Sequence, residues 1–164
     1  MNIVMRRISQ AACLALAVPA ACTTDSGGVD FAEAEIAPAT DGDVSGVVRF
    51  SEETGYVQVT GSLDGLDPGD HEILLFEPGL CDDLAGQGDT PVEPGQRPVA
   101  DIVSITPDQR GQTSIDASRT NLPESDGTAD LVGHSVIVMA ADGELVDASG
   151  CGVVRAIPQI DYTL

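Results

Sequence analysis

Gly65-Leu66-Asp67-Pro68-Gly69-Asp70-His71, running into Glu72-Ile73-Leu74-Leu75-Phe76-Glu77, is the stretch on which the reading of this 164-residue chain turns. A loop of Gly, Pro and Asp hands over to a short apolar run of strand length. The same exchange of turn and run recurs on both sides. Upstream, residues 44–50 and 56–63 flank Ser51-Glu52-Glu53-Thr54-Gly55 and form a hairpin pattern. Val57 and Val59 alternate with Gln58 and Thr60, the period of two that marks a half-buried strand. Downstream, residues 101–106, 113–117, 135–140, 144–147 and 152–156 supply further runs, and Asp142-Gly143 carries a tight-turn signal. No long 3.6-residue repeat occurs outside the N-terminal segment. The expected fold is therefore all-β, one sandwich or barrel. With 3% aromatic residues, its core must be built from Val, Ile, Leu and Ala.

The quoted stretch resembles the G-L-x-P-G-x-H-G-F-H-x-H segment of the copper–zinc superoxide dismutases. Arg97-Pro98-Val99-Ala100-Asp101 is similar to that family's R-H-V-G-D segment, and Val132-Gly133-His134-Ser135-Val136-Ile137-Val138-Met139 to its I-G-R-x-x-V-V-H strand. Cys151-Gly152-Val153-Val154 matches the A-C-G-V-I ending. The resemblance spans residues 43 to 156 and narrows the fold to an eight-stranded Greek-key β-barrel. It implies a Cys81–Cys151 disulfide. It also implies that the metal-ligand positions are substituted. Leu74, Phe76 and Met139 stand where copper histidines are expected, and Pro98 stands at a zinc histidine. Asp101 alone keeps the zinc aspartate, and Ala148 replaces the arginine that guides substrate.

Imidazole suits both oxidation states of copper, so a redox copper site of this family needs several histidines. The whole chain has two, His71 and His134. The resemblance thus implies a non-catalytic relative with no metal cofactor, in which hydrocarbon fills the former site. The alternative is a superoxide dismutase-family metalloprotein with an altered copper site, using the Met139 thioether with His71 and Asp101. On the first reading Met139 is a core side chain, His71 a hydrogen-bonding strut, His134 a strand-end residue, and Asp101 a hydrogen-bonding residue of a turn or loop. The sequence carries no nucleophile elbow, zinc-helix motif or phosphate loop.

The N-terminus has the three parts of an export signal: Arg6 and Arg7, an apolar run over residues 11–18, and small residues before Cys22. The run is about half the roughly 20 residues that a membrane span needs. If Cys81 and Cys151 pair and Cys13 leaves with the signal, Cys22 remains as an odd thiol in an oxidising compartment. Acylation of Cys22, as in a bacterial lipoprotein, accounts for it; an ordinary signal cut nearby is the alternative. The expected organisation is residues 1–21 as signal peptide, 22–42 as a flexible acidic tether and 43–164 as the barrel domain, lipid-anchored in the periplasm.

Removing the signal leaves 27 acidic residues against five arginines and no lysine. Nucleic acid is excluded as a partner, since its binding rests on phosphate neutralisation by Lys and Arg. The expected partner is a protein or small ligand of the cell envelope. Acidic pairs such as Asp82-Asp83 offer a loose calcium-gathering surface, though no spacing matches an EF-hand loop.

Overall fold

The computed structural model describes residues 31–39, 42–81, 96–119, 122, 127–143 and 148–158. They form eight antiparallel strands: β1 (Phe31–Pro38), β2 (Ser45–Glu53), β3 (Tyr56–Asp64), β4 (His71–Phe76), β5 (Ala100–Ile105), β6 (Thr113–Arg119), β7 (Ser135–Ala140) and β8 (Ala148–Ala156). A short 3-10 turn, Gly127–Leu131, precedes β7. The strand order is β5-β4-β7-β8-β1-β2-β3-β6. Because β3 neighbours β6 and β4 neighbours β7, the β3–β4 and β6–β7 connections cross the ends of the barrel in Greek-key fashion. The outer strands β5 and β6 meet at the seam, where Arg119 Nε donates to the Ile102 carbonyl. The all-β, eight-stranded barrel expected from the sequence is the fold observed.

The interior holds one apolar core that includes Val48, Phe50, Val59, Ile73, Ile102, Ile115 and Val136, with Leu131 of the 3-10 turn buried against it. Phe50 is the one aromatic in that cluster, so β-branched and Leu side chains fill the barrel. The β2–β3 hairpin pairs Glu53 with Tyr56 across Thr54-Gly55, and Gly55 takes the positive φ of +87° that a two-residue turn demands. Gly65 opens the loop into β4 at φ +82°, and a Cβ there would strike the Asp43 carbonyl oxygen.

Two expectations change. The first is the tether: Phe31–Pro38 lies inside the segment 22–42 and is a strand, paired with both β2 and β8. Ala32, Ala34 and Ile36 point into the core, while Glu33 and Glu35 alternate with them. Its close approach depends on small residues in β8. A Cβ at Gly152 would meet the Glu35 carbonyl, and one at Gly150 the Ile36 side chain. The barrel domain thus begins at or before residue 31. The second is the eighth strand, which is β1; residues 144–147, read as a strand, lie outside the described residues. So do the signal, Cys22, and the loop over 82–95 with its Asp82-Asp83 pair.

Candidate functional site

The positions singled out in the sequence converge on one wall of the barrel. Side chains alternate across a strand, and the β4–β7 register pairs Glu72 with Met139, Leu74 with Ile137 and Phe76 with Ser135 on the outer face. The β7–β8 register brings Cys151 opposite Ile137 and Ala148 opposite Met139. Leu74, Phe76, Ile137, Met139, Ala148, Cys151 and Ala39 accordingly pack into a second apolar cluster, with Leu80 and Cys81 against it. Every one of the first seven is at most 5% exposed. Three positions matched to copper histidines and the one matched to the guiding arginine therefore meet, and they meet as hydrocarbon and a thioether.

The Cys81–Cys151 disulfide is present, with 5.7 Å between the Cα atoms. It ties the turn after β4 to β8 at the margin of this cluster. The buried Ser135 hydroxyl receives the backbone N–H groups of Leu80 and Cys81 at 3.1 and 3.3 Å. The turn is thus fixed by one covalent and two hydrogen bonds, and it lies against the cluster as a cover. An unliganded cation in such a hydrocarbon setting is unfavourable by many kcal/mol.

The alternative ligand set does not assemble. His71 opposes Ala140 in the β4–β7 register, so it shares a face with Ile73 and Leu75, toward the barrel interior. Met139 is on the opposite face. Asp101 sits opposite Leu74 with its side chain exposed; it belongs to β5 and not to a turn or loop. Among the described residues, no group of three or more His, Cys, Asp or Glu is placed to hold a metal ion.

His71 is 3% exposed, and its Nε2 donates to the Asp67 carbonyl at 2.9 Å. A carbonyl only accepts, which places the proton of the neutral ring on Nε2. The bond closes the Asp67-Pro68-Gly69-Asp70 loop onto β4, the strut that the sequence suggested. A cleft of about 570 Å³ lies beside it, lined by this loop, Ala141, Asp142 and Ser149. His134 is half-buried immediately before β7; its backbone receives the Val154 N–H at 2.9 Å. Pro98 is half-buried and Arg97 exposed on the approach to β5.

Sequence reasoning missed Ile137 and Ala39 as members of the outer cluster. The signal available was the unbroken apolar run Val136-Ile137-Val138-Met139, which marks a strand buried on both faces.

No family model matches the chain, and a search of curated proteins finds no match either. Among solved structures, the crystal structure of the clock protein EA4 is similar in fold, with a TM-score of 0.56 and 19% sequence identity. The match covers 78% of this chain and 95% of that one. At that identity the likeness establishes the barrel fold. No helix among the described residues is long and apolar enough to cross a membrane.

Proposed function

We propose that this chain is a non-catalytic, superoxide dismutase-like domain, exported and lipid-anchored through Cys22, that serves the cell envelope as a binding or structural module for a protein or small ligand. The observation that carries this reading is the outer cluster on β4, β7 and β8. Leu74, Phe76 and Met139 occupy the positions matched to copper histidines, and they are sealed together with Ala148 beneath a disulfide-held turn. Electrostatics support it as well. A fast dismutase concentrates an anionic substrate with positive potential, whereas this protein carries a formal charge of −20.

The test is superoxide consumption by the purified protein after loading with copper and zinc and removal of free metal. The expected rate is that of buffer alone. Turnover that vanishes with a chelator and returns with copper would refute the proposal and favour the altered-metalloprotein alternative.

A further inference from the structure

The two ends of the barrel differ. Pairing all eight strands antiparallel sends the β1–β2, β3–β4, β5–β6 and β7–β8 connections to one pole. That pole displays Asp43, Asp64, Asp67, Asp70, Asp108 and Asp142, all exposed, with Arg110 as the arginine among its described residues. The entry to β1, the β2–β3 hairpin, and the segments leading into β5 and β7 lie at the other pole. The four exposed large hydrophobic residues among those described all sit there: Phe31 at the entry to β1, Tyr56 in the hairpin, Val99 before β5 and Val132 before β7. Described charges at this pole are mixed, with Arg97, Arg119 and Arg155 beside Glu52, Glu53, Glu77 and Asp130.

We infer that the pole bearing Phe31, Tyr56, Val99 and Val132 is a membrane-facing surface that rests in the bilayer interface, with the aspartate pole turned away from it. The inference rests on the proposed acylation of Cys22 and adds an orientation to it. Chain length favours this orientation, because the linker joins β1 at the apolar pole. With β1 beginning at Phe31, residues 22–30 reach at most about 32 Å fully extended. The longest strands have nine residues, about 30 Å at 3.3 Å per residue, or near 25 Å between poles once strand tilt is included. Placing the aspartate pole on the lipid would make the linker run the length of the barrel and hold it about three-quarters extended, at a cost in chain entropy. A tether ending at residue 42 would have imposed no such cost. Composition agrees with the geometry. Tyr is favoured at the membrane interface.

The chain has no tryptophan, so a single introduced one reports its own depth. The full chain, exported and purified with its anchor, is reconstituted in phosphatidylcholine vesicles whose acyl chains carry bromine. Mass spectrometry of its N-terminus is recorded on the same sample. Tyr56→Trp at the apolar pole is expected to lose most of its emission, and Asp142→Trp at the aspartate pole is expected to lose none. Val132→Trp repeats the apolar-pole measurement should Tyr56→Trp fail to fold. Acylated, vesicle-bound protein with the two poles equally bright, or equally quenched, would overturn the orientation and leave the anchor standing. Concentration-dependent dimerisation that shields Tyr56→Trp from the bromine would also overturn it, in favour of a second copy of this chain. An unmodified Cys22 would overturn anchor and orientation together.

Discussion

Strands β3 and β7 have the same neighbours in kind, an antiparallel strand on either side, yet they meet water differently. In β3, Val57, Val59 and Leu63 are buried while Tyr56, Thr60 and Asp64 are exposed. In β7, Ser135, Val136, Ile137, Val138 and Met139 are all buried. Half of β7 faces the barrel core, and the other half faces the outer cluster under the Cys81–Cys151 turn. A half-solvated strand is specified by one apolar face. A doubly buried strand needs a second cover, and here the cover lies over the positions where the resembling family would hold copper. The outer cluster therefore carries both a stability question and a functional one.

The difference can be broken from the inside first. Phe50→Ala empties the largest fully buried side chain of the inner core and should cost about 3–5 kcal/mol, read from the urea midpoint. Next comes the cover. The disulfide joins residues 70 apart, for which the chain-entropy account gives about 4 kcal/mol, with about 2–5 typical of small exported domains. Cys81→Ser should accordingly lower the melting temperature, and reductant should do the same to the parent but nothing further to the variant. Equal melting of the two proteins would mean that the turn holds without the bond.

Smaller changes sharpen the contrast between the two faces. Leu74→Ala on the outer face of β4 should cost about 2 kcal/mol, the low end for a buried Leu because this cluster is small. Thr60→Ala on the exposed face of β3 should stay within about 0.5 kcal/mol. Similar values at the two sites would show that the outer cluster is not packed as a core. Smallest of all, Met139→Leu conserves volume and should cost less than about 1.5 kcal/mol. It should also leave any affinity for cuprous ion unchanged. A fall in that affinity would identify the thioether as a ligand.

Much of this architecture was legible in the sequence, for physical reasons that vary by element. The alternation of Val57 and Val59 with Gln58 and Thr60 announces a strand with one wet face, and the structure pairs it between β2 and β6. Strand β1 alternates just as strictly, but with Ala32 and Ala34 as its inward residues. Alanine has little hydrophobic weight and a low strand preference, so the segment passes for acidic linker. What makes it a strand is tertiary: in β8, Gly152 leaves room for its backbone to approach and Gly150 for its Ile36 side chain. The convergence of Leu74 and Phe76 with Met139 and Ala148 followed from the resemblance, because residues so far apart in the chain show no local pattern. The separation of His71 from Met139 required the strand register, which puts Ala140 and not Met139 opposite His71.

Copper stoichiometry is the most direct measurement of the central claim, that the outer face of β4 and β7 is a sealed hydrocarbon cluster and not a metal centre. The intact protein would be purified from the envelope, exposed to an excess of cupric and then cuprous ion, dialysed and assayed for bound metal. The account predicts well under one copper per chain in both states, with the same result for Met139→Leu. One tightly held copper per chain, lost on substituting Met139 or His71, would contradict it.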